Sequence, residues 1–339
     1  MHYVDRVYGP VVLDEPVLVD LVDSRAMGRL RGVLQHGISA IVGVTAPVSR
    51  FEHSMGVMLL VRRLGADLNE QIAALLHDVS HTAFSHVVDY VFDGHDSQSY
   101  HEEIKADFLA GTDIPALLAA YDLDWHAFLD ETRYPLLEQD APALCADRLD
   151  YFLRDGVDLG VLSEAERATI LAHLTVHGGR IMVDGDLDAA RLLAYRYIEA
   201  DRASWANYWE VGLYELTARA IQAAMQRGVL TEADLWRTDD HAWGKLQASH
   251  DPELRRWLDL VTAETQFERD EAEADFRVST KLRTIDPDVV VAGGSLTLSA
   301  LDAEFAAFRA AYLRDNGGKW PYRIVPANNA KLYGDGGAG

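Results

Sequence analysis

Residues 75–86 read LLHDVSHTAFSH, and the interpretation of the chain turns on them. Three imidazoles (His77, His81, His86) and the Asp78 carboxylate fall directly behind the apolar run IAALL at 72–76. The spacing over 69–78 (NEQIAALLHD) predicts an amphipathic helix with Asn69 as its N-cap and His77-Asp78 at its far end. A hydrophobic core has no use for so many titratable groups. The stretch therefore points to a site at the edge of a helical core.

Working outward, helical spacing recurs at 52–64, 101–110 and 141–155, where Pro142 fits a first turn and Gly156 a position just past the end. After Gly178-Gly179, RIMVDG predicts a short strand and turn, followed by long helices over 187–200 and 204–227. The acidic run ETQFERDEAEAD (264–275) reads as a solvated helix face. Beyond 275 the texture changes: FRVSTKLR alternates, DPDVVVAGGSLTLS is β-branched with glycine punctuation, and the helix LDAEFAAFRAAYLR precedes YRIV. The expected fold is mainly α: a helical catalytic domain over 1–227, a smaller helical and mixed α+β C-terminal lobe over 228–333, and a disordered tail at 334–339.

The 339 residues, 49% of them hydrophobic, can fill a sizeable core. A formal net charge of -23 repels phosphate backbones and anionic membranes, which argues against free nucleic acid as a partner and requires local cations for any anionic substrate. The start, MHYVDRVYGPVVLDEP, lacks a signal-peptide pattern, and no apolar run approaches a membrane span, so a soluble cytoplasmic protein is expected. The single cysteine, Cys145, excludes an intramolecular disulfide and a multi-cysteine zinc site. A bound metal must be held by His and carboxylates.

Six of thirteen histidines (His53, His77, His81, His86, His95, His101) lie within about fifty residues. His53, His77-Asp78 and Asp147 sit on three separate predicted helices, and two imidazoles with two carboxylates make a mixed N/O set for a divalent cation: Mn, Fe, Mg, Zn, Co or Ni. Isolated histidines such as His36, His126 and His173 are expected to be satisfied or solvent-facing side chains. The tryptophans at 205, 209, 236, 243 and 257 are expected to be packing residues.

The order H, then HD, then D on successive helices resembles the HD-domain phosphohydrolase superfamily. The blocks SRFEHSMGV, LLHDVSHTAFSHVVD, YHEE and ADRLDYFLRD are similar, in the same order, to its deoxynucleoside triphosphate triphosphohydrolase branch. The resemblance covers roughly residues 5–160 well and the remainder loosely. It implies an HD-domain helical core with His53, His77, Asp78 and Asp147 as metal ligands. It makes His81, His86, Asp89 and His101 catalytic, with Asp89 holding His81 or His101 and favouring the imidazolium. Gln35, Arg50, Arg148, Tyr151 and Asp155 would grip a nucleotide substrate, Asp147, Tyr151 and Asp155 sharing one helix face. By analogy it also implies a homo-oligomer.

One departure bears on the substrate. In that branch the helix after the core carries an Arg, a Tyr and a His-Lys pair; here YIEADRASWANYWEVGLYE offers Arg202 and Tyr208 but no His-Lys pair. Three functions stay open: hydrolysis of a dNTP to deoxynucleoside and tripolyphosphate, an HD-type phosphatase acting on a nucleoside monophosphate or another phosphate ester, and a non-catalytic nucleotide sensor.

Overall fold

The computed structural model describes residues 1–92 and 98–325. His95 and the expected tail at 334–339 lie outside the described residues. Helices dominate. α1 (Arg50–Arg63) starts at a capping box in which Ser49 Oγ accepts from Glu52 N and Glu52 accepts from Ser49 N, satisfying two orphan donors at once. It is buried from Phe51 to Val61 with the exception of Glu52, so it runs through the core rather than along its surface.

α2 (Leu68–Leu76) follows, capped by Asp67, whose side chain accepts from Glu70 N; this corrects the expectation for Asn69. His77 is its C-cap and Asp78 starts the irregular stretch beyond. The predicted helix 101–110 is two short pieces, Tyr100–Glu103 and Lys105–Ala110. α3 (Ala146–Asp158) begins after Pro142 and extends past Gly156, correcting both predicted ends. Gly156 is needed inside the helix because a Cβ there would come within 2.8 Å of the Leu162 side chain. α4 (Leu187–Ala200) and α5 (Tyr208–Gln226) are separated by a wide turn at Asp201–Trp205. α6 (Asp239–Ala248) and α7 (Ala303–Asn316) complete the elements that shape the site.

Three small sheets accompany the helices. β1 (His2–Asp5) and β2 (Gly9–Val12) form an antiparallel hairpin over α1. β3 (Leu174–His177) and β4 (Arg180–Val183) pair antiparallel, and β4 continues in parallel to β7 (Asp288–Val291), which pairs with β8 (Gly294–Thr297). This four-stranded sheet draws strands from both sides of residue 227. β5 (Gln266–Glu268) and β6 (Phe276–Val278) flank β9 (Trp320–Val325). The segment 264–275 is therefore a strand with turns, not the helix its acidity suggested. Among the described residues no helix is long and apolar enough to cross a membrane.

Two hydrophobic clusters carry the packing. One lies around α1, α2, α3 and α4, the other around α5, α6 and the three-stranded sheet. The stretch 78–86 passes between them: Val79 packs in the first, Ala83 and Phe84 in the second.

Candidate metal centre and pocket

His53 and His77 are held by the same device. On α1, the His53 Nδ1 side lies 2.8 Å from Asp150 Oδ2, and Asp150 in turn accepts from Arg154 Nε and Nη2 and from Tyr8 Oη. His77 Nδ1 lies 2.7 Å from the carbonyl of Ala74, which can only accept, so Nδ1 carries the proton. Both rings thereby present Nε2 lone pairs to a common point, 3.2 Å apart. A carboxylate or carbonyl behind each imidazole is the arrangement that fixes the tautomer of metal-ligating histidines. Gly56, one turn after His53, makes room for it: a Cβ would lie 2.1 Å from Asp150 Oδ1 and 2.0 Å from Arg154 Nη2.

Two carboxylates close on the same point. Asp147 Oδ1 lies 3.0 Å from His53 Nε2 and 3.6 Å from His77 Nε2. Asp78 Oδ2 lies 3.7 Å from His53 Nε2, and Asp78 Oδ1 3.5 Å from His77 Nε2. Ligands about 2.1 Å from a cation are separated by roughly 3.0 Å in octahedral and 3.4 Å in tetrahedral geometry, so His53, His77 and Asp147 fit one divalent ion, with Asp78 beside them and grouped also with His81 and His101. The electrostatics agree. Burial alone would lower the His53 pKa, but hydrogen bonds to Asp147 and Asp150 and the charge of Asp78 push it up to about 10. Despite burial, the Arg50 charge holds Asp78, and hydrogen bonds with His53 and His77 hold Asp147, well below the usual carboxylate range. The cluster demands positive charge, and a two-nitrogen, two-oxygen set suits a borderline divalent metal.

Beyond Asp78 the chain brings three more imidazoles together. His81 Nε2 lies 3.2 Å from Asp78 Oδ1, and its ring stacks on His101 with centroids 3.7 Å apart. His86 stands edge-on to His81 at 5.1 Å. Asp89 bonds His86 Nδ1 at 3.0 Å and accepts from Tyr100 N; it contacts neither His81 nor His101, contrary to the sequence expectation. Nor are these rings imidazolium. Burial, reinforced by Arg50, pushes His81 down to about 3 and holds His86 well below its ordinary value. Burial and the neighbouring His81 do the same to His101.

Asp78, Asp147, His81, His86 and His101 line a cavity of about 360 Å³. Arg50 donates from Nη1 to Asp78 Oδ2 at 2.7 Å and from Nε to Ser85 Oγ at 3.0 Å. Its buried Nη2 has no hydrogen-bond partner among the described residues. Gln35 Oε1 and Asp155 Oδ1 are likewise buried acceptors without a donor among the described residues. Asp147, Arg148, Tyr151 and Asp155 all line the cavity, although Arg148 is also engaged by Glu138 and the carbonyl of Gln139, and Tyr151 by the Tyr197 hydroxyl.

Several lining residues escaped the sequence reading. His36, expected to be incidental, pairs through Nε2 with Asp155 Oδ2 at 3.2 Å inside the cavity. Trp205 also lines it, donating Nε1–H to Asp155. Arg202 and Tyr208 do not: Arg202 lies over the rings of Phe308 and Tyr312, and Tyr208 Oη donates to Pro321 O. Cations arrive instead from Lys281, Arg283 and Arg309. Asp150, the support behind His53, was also missed, although its i,i+4 pairing with Arg154 can be read in DRLDYFLRD.

Comparison with known proteins bears on the same residues. A family model described as HD domain matches residues 50–155, a span that runs from Arg50 to Asp155. The metal-dependent phosphohydrolase cns2 of Cordyceps militaris is 38% identical over 291 residues, covering 84% of each chain. The uncharacterized protein YdhJ of Bacillus subtilis is 40% identical, over 85% of this chain and 88% of its own. A shorter match, 36% identical over 103 residues, covers 26% of this chain and 16% of the deoxynucleoside triphosphate triphosphohydrolase SAMHD1 of Danio rerio. Among solved structures, a phosphohydrolase from Bacteroides thetaiotaomicron shares the fold with a TM-score of 0.64 at 18% identity, over 96% of this chain and 99% of that one.

Proposed function

The chain belongs to the HD-domain metal-dependent phosphohydrolases, and on that premise we propose that its substrate is a nucleotide, in the first place a deoxynucleoside triphosphate cleaved at the α-phosphate. The observation that supports this reading is the convergence of His53, His77 and Asp147 on one point, with Asp78 3.5–3.7 Å from the two imidazoles, beside a cavity lined by Asp78, Asp147, Arg50, Arg148, Lys281, Arg283 and Arg309. In a chain of net charge -23, such a collection of cations suits a polyanionic ligand.

His53, His77, Asp78 and Asp147 would hold the metal, which supplies Lewis-acid polarisation of the phosphoryl oxygen and lowers the pKa of its water from about 15.7 toward about 7. The protein positions the rest. Arg50 Nη2, its other nitrogens already tied to Asp78 and Ser85, takes a phosphate oxygen. Asp89 accepts from His86 Nδ1–H and leaves the Nε2 lone pair free to accept a hydrogen bond. His101 presents an Nδ1 without a partner among the described residues, and its stacked neighbour His81 is kept neutral by burial, so both would serve as neutral hydrogen-bonding groups toward water or phosphate oxygens. Gln35 and Asp155 offer free acceptors to sugar hydroxyls.

A second reading, a phosphatase of nucleoside monophosphates or other phosphate esters, is favoured by the exclusion of Arg202 and Tyr208 from the cavity. Incubation with dNTPs, NTPs and monophosphates in Mn, Mg or Co, followed by separation of products, decides between them. Intact tripolyphosphate supports the first reading; orthophosphate from a monophosphate selects the second.

A further inference from the structure

We propose that Asp239 is a positioning residue of the active site, acting through main-chain hydrogen bonds on both loops that flank the metal centre. Asp239 opens α6, more than 150 residues from either loop, and is buried. Its Oδ1 accepts from Phe84 N at 2.7 Å and its Oδ2 from Leu34 N at 2.8 Å. One carboxylate thus fixes the spacing between the loop carrying Gln35 and the loop carrying His81 and His86.

The surrounding bonds carry this grip to the site. Ala83 N donates to Leu235 O, and Arg29 donates to the carbonyls of Val79, His81 and Arg237, so stretch 79–84 is docked along 235–239. Phe84 and Ser85 are both left-handed, with φ of 64° and 50°, a backbone that persists only where surrounding contacts impose it. In that conformation Ser85 Oγ donates to Leu34 O at 2.6 Å and accepts from Arg50 Nε at 3.0 Å, and Arg50 continues to Asp78. Gly37 completes the junction: at φ +47°, a Cβ there would lie 2.3 Å from the Phe84 carbonyl oxygen. Relaxation of the left-handed pair would swing Ser85 away, and Arg50 would lose the contact that aims its third nitrogen.

An aspartate is required because both of its oxygens accept; an amide nitrogen would face one of the two N–H groups with another donor. The test compares Asp239→Asn with Asp240→Asn at the exposed neighbouring position, each loaded with Mn. Deuterium exchange at the Leu34 and Phe84 amides, metal content, Tm, and kcat and KM on dGTP, dGMP and bis(p-nitrophenyl) phosphate are measured.

In Asp239→Asn the two amides are expected to exchange about tenfold faster at full metal content. The value of kcat should fall about tenfold or more with KM nearly constant, and adding Ser85→Ala should cost little more. Unchanged exchange overturns the proposal, as does faster exchange with unchanged kcat, or losses that add in full. If Asp239→Asn does not fold, Ser85→Ala alone must lower kcat at constant Tm, and its failure to do so is equally decisive. Should the wild type hydrolyse none of these substrates, the nucleotide reading fails while the exchange rates still decide this one.

Discussion

The floor of the cavity and its outer wall are built in opposite ways. On the floor three of the four candidate ligands have a partner behind them: Asp150 behind His53, the Ala74 carbonyl behind His77, Arg50 beside Asp78. On the wall, long cations reach in from irregular backbone at Lys281 and Arg283 and from Arg309 on α7. Arg283 is tied to Gln98 and, through its main chain, to Asp201; Arg309 donates Nε–H to Thr284. Lys281 is depressed first by burial and then by the charges of Arg283 and Arg148. Lys281, Arg283 and Arg309 are thus gathered on one side of a cavity that Glu102 and Asp147 also line. The difference teaches that, on the proposed reading, short rigid supports would fix the chemistry and long side chains at the rim would choose the substrate.

The sharpest way to break the comparison is at the floor. His77→Ala with Asp78→Ala is expected to remove bound metal and lower turnover by about a thousandfold or more; metal analysis showing full occupancy, or retained hydrolysis, contradicts the assignment. Next is the support. Asp150→Asn leaves all four ligands but puts an amide behind His53, and about 10- to 100-fold weaker metal affinity in a chelator competition is expected. An unchanged affinity would make Asp150 a packing residue.

The wall should respond more gently and selectively. Lys281→Ala combined with Arg309→Ala is expected to lower kcat/KM for triphosphates about tenfold, with metal content intact and monophosphates nearly unaffected. Equal losses on both substrate classes would remove the wall's role in choosing among phosphates.

The smallest effect concerns what anchors the wall. Asp201 Oδ2 accepts from Arg283 N and Tyr312 Oη, and burial pushes its carboxyl up to about 6 from an ordinary 3.8. A raised folded-state value means that its contribution to stability is complete below about pH 4 and lost as pH rises through about 6. Asp201→Asn keeps the accepting oxygen and removes the charge, so it should stabilise by on the order of 1 kcal/mol at pH 8 and have little effect at or below about pH 4. Thermal melts at the two pH values check the sign.

Legibility in the sequence followed the same division. His53, His77, Asp78 and Asp147 could be placed near helix ends from spacing alone, and the structure brings them near one another; a capping box marks only the start of the helix that carries His53. Helix 187–200 is present as predicted, and the glycine-punctuated run near 288–297 is a hairpin. Boundaries failed where tertiary contacts overrode local signals: Asp67 rather than Asn69 caps α2, and Gly156 sits inside α3 for lack of room beside Leu162. The pairing of Asp89 with His86, and the neutrality of the imidazoles, depend on burial that a linear reading does not contain. The wall was hidden for a different reason. Lys281 and Arg283 alternate in STKLRT, which places both on one side of an extended segment, but nothing local tells which surface that side meets.

The pairing of β4 with β7 has a consequence for biosynthesis. When residue 183 leaves the ribosome, the hairpin it closes displays an open edge, and its partner strand is more than a hundred residues from being made. The metal cradle needs only the first 158 residues and can collapse early, whereas the sheet and the cationic rim must wait for residues 288–309. A nascent chain therefore passes through an interval in which His53, His77, Asp78 and Asp147 have been made but Asp239, which docks the neighbouring loops, and the cationic rim have not. A fragment cut after α5 would be arrested in that interval.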